Sequence, residues 1–190
     1  MNLAKDEPLR TLQSNGWINT SDSRNPVALA LSSQIIESTI YCTLSTCSAD
    51  GFPWASPVFF AYDADMHLYW SSTTAAQHSQ NLYRNQGRVA IAIYGTHAGE
   101  GKGKGIYLSG TARELAPEKV DTVMQLLFQR SGGEPPQRTH DDYLGASPRR
   151  IYCFQPEQAW VTGERLPLGN QLIDTKIQLD LASLIAALKV

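Results

Sequence analysis

Between Ile40 and Tyr94 the chain alternates runs of β-branched and aromatic residues with turn residues, a pattern best satisfied by a largely antiparallel sheet. The first run, Ile40 to Ser48, carries Ile40, Thr43 and Thr46 and ends at Ala49-Asp50-Gly51, where Asp-Gly supplies hairpin chemistry. A second, Trp54 to Tyr62, holds Val58, Phe59 and Phe60 and closes at Asp63-Ala64-Asp65. The third covers Met66 to Ser71, and the fourth, Arg88 to Tyr94, sets Val89, Ile91 and Ile93 against Ala90, Ala92 and Tyr94. Tight turns between the first three predict a meander. Apolar residues on both sides of the fourth predict burial of both faces, as in a barrel.

Helices and further strands flank this stretch. Met1 to Arg24 is polar and reads as an extended or poorly ordered arm, with Trp17 a candidate for docking. Asn25-Pro26 marks a helix start, with Val27, Leu31 and Ile35 forming its apolar face and an end near Glu37 or Ser38. Ile106 to Glu114 reads as a fifth strand, and Pro117 opens a helix with Val120, Val123, Met124 and Leu127 on one side, stopped at Gly132-Gly133. Residues 131–148 form a long loop, of the kind that in a compact domain is often functional. Strands resume at Arg150 to Phe154 and Gln158 to Thr162, separated at Pro156, and Asp180 caps a last helix whose Leu181, Leu184, Ile185 and Leu188 share a face. This order predicts an α+β domain built on a mainly antiparallel barrel.

Bulk properties narrow the function. A chain of 190 residues, 42% hydrophobic, can bury one real core. Its formal net charge of -2 provides no excess of cations for a nucleic-acid backbone, so no nucleic-acid partner is expected. Cys42, Cys47 and Cys153 show no zinc or redox spacing and read as reduced thiols of a cytoplasmic protein; Cys42 and Cys47 point to opposite faces of one strand. Nowhere do 18 apolar residues follow one another, and the N-terminus has no apolar signal-like run, so no membrane span or export is expected. The four histidines, His67, His78, His97 and His140, lack paired ligand spacing, which predicts no metal site.

Two polar stretches remain as candidates for chemistry. Gly95 to Gly105, GTHAGEGKGKG, lacks the Gly-Lys-Ser/Thr ending of a phosphate loop and reads as a hairpin tip, although its lysines could approach an anion. Ser71-Ser72-Thr73-Thr74-Ala75-Ala76-Gln77-His78-Ser79 follows a strand and opens a short helix, Gln77 to Asn85. Its hydroxyls and the free N–H groups of a helix start suit a phosphate monoester, yet the same hydroxyls would serve equally as helix caps.

The order of these segments resembles the pyridoxamine 5'-phosphate oxidase-like family of FMN-binding split barrels. The matching pieces are the Gly51-Phe52-Pro53 turn, SPVFF from Ser56, LYWSS ending at Ser72, the His78-Ser-Gln-Asn-Leu82 helix and RVAIAI from Arg88. A weaker match runs over Arg150 to Leu166. The resemblance implies a six-stranded split barrel with flanking helices and a homodimer with FMN at the subunit interface. It divides the chain into an arm (1–24), the barrel domain (25–166) and a C-terminal extension (167–190) packed on that domain. It further implies that the FMN phosphate lies at Ser71, Ser72 and Thr73, with Gln77 and His78 at the positions of an Arg-Lys pair, and that the ring lies along Ser56, Pro57 and Val58. Trp160 matches a tryptophan that contacts flavin across the dimer, and Arg165 the arginine of an Arg-x-His.

Departures from the family pattern are equally informative. The oxidase's Arg-x-x-x-x-Lys is Ser56 and Ala61 here, Pro167 stands where the histidine of Arg-x-His belongs, and the Arg138-Thr139-His140 triplet lies elsewhere in the chain. The resemblance therefore implies an FMN-dependent oxidoreductase on a small substrate other than pyridoxamine phosphate. A deazaflavin- or heme-related split barrel and a non-catalytic flavin-binding dimer are the alternatives. Heme would require a committed histidine. No catalytic acid or base is expected, because flavin itself carries hydride chemistry.

Overall fold

A computed structural model describes residues 18–19, 22–132 and 138–188. The expectation for Trp17 and for most of the arm falls outside them. The elements in order are β1 (Ile18–Asn19), α1 (Pro26–Ser38), β2 (Tyr41–Cys47), β3 (Pro53–Phe59), β4 (Ala61–Tyr62), β5 (Leu68–Thr73), α2 (Gln77–Arg84), β6 (Arg88–Tyr94), β7 (Gly105–Glu114), α3 (Val120–Arg130), β8 (Arg149–Thr162), β9 (Leu166–Leu168), β10 (Gln171–Ile173), β11 (Lys176–Leu179) and α4 (Leu181–Ala187). Nine of these strands form one curled sheet, antiparallel except where β1 joins β11, and β9 pairs with β10 separately. The fold is an α+β split barrel. No helix among the described residues is long and apolar enough to cross a membrane.

Strand pairing differs from a meander. β2 lies between β3 and β6, β6 continues to β7 and β7 to β8, while β5 pairs with its chain neighbour β4 only over Ala61–Tyr62, does not pair with β3, and runs its whole length along β8. The run from Trp54 to Tyr62 is accordingly two strands, broken at fully buried Phe60, whose N–H donates to Ile40 O. The third run starts two residues later than predicted, because Met66 takes a positive φ of 62° and turns the chain into β5. Ser71, Ser72 and Thr73 therefore belong to the strand, not to a loop.

The two strands expected around Pro156 are one. Gly110 of β7 faces Pro156 at a bulge between Ser109 and Gly110, where a proline without N–H is tolerated. A Cβ on Gly110 would lie 2.1 Å from Gln155 O, so close passage of the two backbones demands glycine there.

Inside the barrel, Trp70, Phe60, Tyr152, Phe154, Leu44 and Ile91 are among the most completely buried side chains. Each buried large apolar group contributes roughly 1.5–3 kcal/mol. β6 buries only Val89, Ile91 and Ile93; Ala90 and Tyr94 face outward, so the expectation of two buried faces fails for the single chain. Asn25 caps α1 as predicted, its Oδ1 accepting from Val27 and Ala28 N–H at 2.9 and 3.2 Å. The buried face of α1 is rotated by one residue, however. Ala28, Ser32, Ser33, Ile35 and Ile36 are buried and Val27 is 75% exposed. Asp180 caps α4, accepting from Ser183 N–H at 3.0 Å, and Leu184 inserts fully into the core. Through β11 on β8 and α4 against α1, residues 176–187 pack on the barrel.

Candidate functional site

A cleft of about 670 Å³ opens where the last residues of β5 meet β3 and α3. That volume falls in the usual range for small-molecule sites. One wall is apolar: Tyr41, Val58 and Phe59 from the sheet oppose Met124, Leu127 and Phe128 from α3. The other end is polar, with Ser71, Ser72, His78, Arg138 and Arg149.

Strand register explains the polar end. Antiparallel pairing sets Ser71 against Ile151, Ser72 against Arg150 and Thr73 against Arg149, so β8 delivers a pair of arginines beside the β5 hydroxyls. Arg150 is spent on Glu114 at 3.1 Å and on the carbonyls of Gly145, Ser147 and Arg149. Arg149, half-buried, lines the cleft. A cation thus reaches this end of the cleft from a strand that the sequence pattern marks only as the edge of a β run. The Arg149-Arg150 doublet after Pro148 was the available signal.

His78 occupies the centre. It is 8% exposed, its Nδ1 lies 3.1 Å from Ser56 Oγ and its Nε2 2.8 Å from Ser72 Oγ. Burial holds its pKa below the ordinary value of 6.5, so the ring is neutral at neutral pH. With both nitrogens engaged, His78 would have to surrender one hydrogen bond before it could ligate a heme iron. Ser71 Oγ is buried and has no hydrogen-bond partner among the described residues, and Ser71 lines the cleft. No side chain caps α2 at Ala76, and Ser79 Oγ donates backward to Thr73 O at 2.8 Å, so the hydroxyls of residues 71–74 do not serve as caps for this helix.

The expected site residues separate into groups. Pro57, Val58, Ser71, Ser72 and His78 line the cleft, and Ser56 stands directly behind His78. Thr73 adjoins it, accepting weakly from Ala75 N–H at 3.4 Å. Gln77 is turned along its helix, donating to Asn81 Oδ1 at 2.8 Å, and does not reach the cleft. Trp160 is 2% exposed on β8, in register with Tyr107 and Gln178, and does not line the cleft of its own chain. Arg165 sits beyond the distal end of β8, paired with Asp174 at 2.7 Å, in a separate cleft of about 390 Å³. That cleft also holds Lys104 and Gly101 from the glycine-rich segment, which forms the β6–β7 hairpin tip. Among the described residues no group of three or more His, Cys, Asp or Glu is placed to hold a metal ion.

Residues 32–163 match a family model described as pyridoxamine 5'-phosphate oxidase. No curated protein sequence matches the chain. Similar solved structures include a heme binding protein from Mycobacterium smegmatis, 18% identical, covering 89% of this chain and 62% of that one, TM-score 0.59. The heme storage protein HutZ from Vibrio cholerae is 18% identical over 67% of this chain and 89% of its own, TM-score 0.51. An F420 reductase is 21% identical over 67% and 94%, TM-score 0.50. At such identities the likeness speaks to the fold.

Proposed function

The chain belongs to the pyridoxamine 5'-phosphate oxidase family, and from that premise we propose that it is an FMN-dependent oxidoreductase acting on a small substrate. The observation that carries the reading is the cleft's division into a hydroxyl- and arginine-bearing end and an apolar slot. Ser71 Oγ, unpartnered, and Ser72, with Arg149 beside them, suit the oxygens of a phosphate monoester. Pro57, Val58 and Phe59 on one side, with Leu127 and Phe128 on the other, suit an aromatic ring system. When bound, FMN would supply the hydride chemistry. The chain would orient it, exclude water with the α3 wall and place donors at the phosphate.

The reading includes a homodimer. Tyr41, Phe52, Tyr94 and Tyr107, all at least 36% exposed, lie on the outward face of the β2-β6-β7 stretch or at the tip of the first hairpin. A face so rich in aromatic residues suits a second copy. Arg165, remote from the cleft of its own chain, would serve the flavin only from such a copy. Residues 25–166 would then form the flavin domain, with 167–190 an extension packed on it, in a cytoplasmic protein with reduced thiols. The three cysteines, all unpaired, agree with that compartment. Pyridoxamine phosphate is not the proposed substrate, since the histidine of Arg-x-His is Pro167.

Titration of the purified chain with FMN tests the proposal. A shifted flavin spectrum with quenched fluorescence supports it, and no binding at tens of micromolar FMN would sink it. Anaerobic reduction of the bound flavin by NADH or NADPH then separates an oxidoreductase from a flavin-binding dimer without turnover.

A further inference from the structure

Trp54, Ser56, His78 and Ser72 form one hydrogen-bonded chain from β3 to the cleft. The Trp54 indole N–H donates to Ser56 Oγ at 3.0 Å, Ser56 Oγ meets His78 Nδ1 at 3.1 Å, and His78 Nε2 meets Ser72 Oγ at 2.8 Å. A neutral imidazole has one N–H and one lone pair, so this chain can be polarised in either of two directions. Proton bookkeeping distinguishes them. Trp54 can only donate, and if Nδ1 donated as well, the Ser56 hydroxyl proton would need an acceptor. None is available to it among the described residues, in a side chain 8% exposed. In the opposite direction every inner proton is spent. Ser56 donates to Nδ1, Nε2–H donates to Ser72 Oγ, and the one proton left over is that of the Ser72 hydroxyl, at the cleft wall.

We infer that His78 is a positioning residue, its proton fixed on Nε2 by the Trp54–Ser56 pair, which makes the Ser72 hydroxyl a dedicated donor to the phosphate monoester of FMN. The inference rests on the flavin reading above and adds to it the polarity of the site. Phosphate oxygens only accept, so a hydroxyl whose lone pair is already occupied by His78 has its proton to offer them. Arg149 contributes charge at this end, and His78 contributes direction.

The tautomer is read first, in the flavin-free full-length chain labelled with 15N, from the ring nitrogen shifts and their couplings to the carbon-bound protons. The His78 signals are identified as those missing from His78→Leu. A protonated Nε2 with an unprotonated Nδ1 is expected, with loss of that preference in Ser56→Ala; Nδ1–H in the unmodified chain overturns the inference. FMN and riboflavin, which differ by the phosphate, are then titrated by fluorescence quenching. Ser72→Ala and His78→Leu should each weaken FMN about tenfold, the effect of losing one hydrogen bond to a charged group, while leaving riboflavin unchanged. The double variant should be no weaker than either single one. Equal losses for both flavins, or additive losses in the double variant, overturn the relay even where FMN binds well. Binding of neither flavin by the unmodified chain overturns the flavin reading and the phosphate assignment with it, while the tautomer stands or falls on its own spectrum.

Discussion

Two histidines flank β5, and the protein uses them in opposite ways. His67 precedes the strand in a corner where Asp63 gathers four donors. Asp63 Oδ1 accepts from Asp65 and His67 N–H, both at 2.9 Å, and Oδ2 accepts from Tyr69 at 2.7 Å and meets His67 Nδ1 at 3.0 Å. Desolvation pushes the Asp63 carboxyl up, but the Tyr69 and His67 hydrogen bonds together outweigh it and hold the carboxyl below its ordinary value. A polar cavity of about 460 Å³ adjoins this corner, lined also by Arg113, Lys119 and Cys153. His78, beyond the other end of β5, is part of a chain with hydroxyl capacity to spare at Ser71 and Ser72. A cavity and a histidine are present at both ends, but among the described residues a buried hydroxyl without a partner lines only the cleft end. Asp63 fixes the turn at Met66 that starts the strand, and the strand then presents its hydroxyls to the cleft.

The largest effect should come from the corner and should leave the cleft untouched. Asp63→Ala strips four donors of their acceptor in a half-buried setting and is expected to cost about 3 kcal/mol, given about 1–3 kcal/mol for each unsatisfied buried group and partial rescue by water. Thermal unfolding should drop by roughly 10 °C for a chain of this size, with FMN affinity unchanged. A variant that keeps its melting temperature and loses flavin would invert the comparison.

Arg130 provides a similar control on the cleft's far side. Its guanidinium donates to Ile36 O and to Thr39 O, at 2.7 Å for the latter, and lies within 5 Å of the Phe60 and Tyr62 ring centres. It thereby ties α3, which carries Met124, Leu127 and Phe128, to the end of α1. Arg130→Met should cost about 2 kcal/mol, from lost hydrogen bonds to part-buried helix-end carbonyls and lost cation–π contact, read as a lowered denaturation midpoint. Arg149→Gln should behave in the opposite manner. We expect FMN binding to weaken by about 1.5 kcal/mol, riboflavin binding to hold, and the melting temperature to stay put, because the Arg149 side chain lines the cleft without a role in the core. Equal loss for both flavins would remove the phosphate from this end.

Much of this arrangement is legible in the amino-acid sequence. The alternation in Arg88–Tyr94, the Asp-Gly turn at Asp50-Gly51 and the Asn25-Pro26 start depend on neighbours in sequence, and those elements appear where local chemistry puts them. Strand partners do not depend on neighbours. Nothing in Leu68–Thr73 says that it pairs with Arg149–Phe154 rather than with Pro53–Phe59, and only that pairing brings Arg149 to Ser71 and Ser72. The break assumed at Pro156 failed for a related reason: whether a proline ends a strand depends on what faces it, here Gly110 at a bulge. Likewise, Gln77 and His78 are adjacent in sequence and polar alike, yet α2 turns one along its own axis and the other into the barrel wall.

The smallest effects separate the two histidine environments by pH. Burial lowers the folded-state pKa of His78, so as pH falls through about 6.5 the unfolded chain takes up a proton that the native state still refuses. Its contribution to stability is complete above that value and declines with acidification until the lowered folded pKa is reached. Asp63 acts in a lower window. Its folded pKa is depressed, so its contribution is present above the ordinary 3.8 and is lost as pH falls through the folded value. Urea midpoints at pH 7.5 and 5.5 should therefore differ more in the unmodified protein than in His78→Leu, while Asp63→Asn should retain the difference across that interval. The reverse pattern would assign the near-neutral titration to the Asp63 corner, and the distinction between a closed and an open end of β5 would fail.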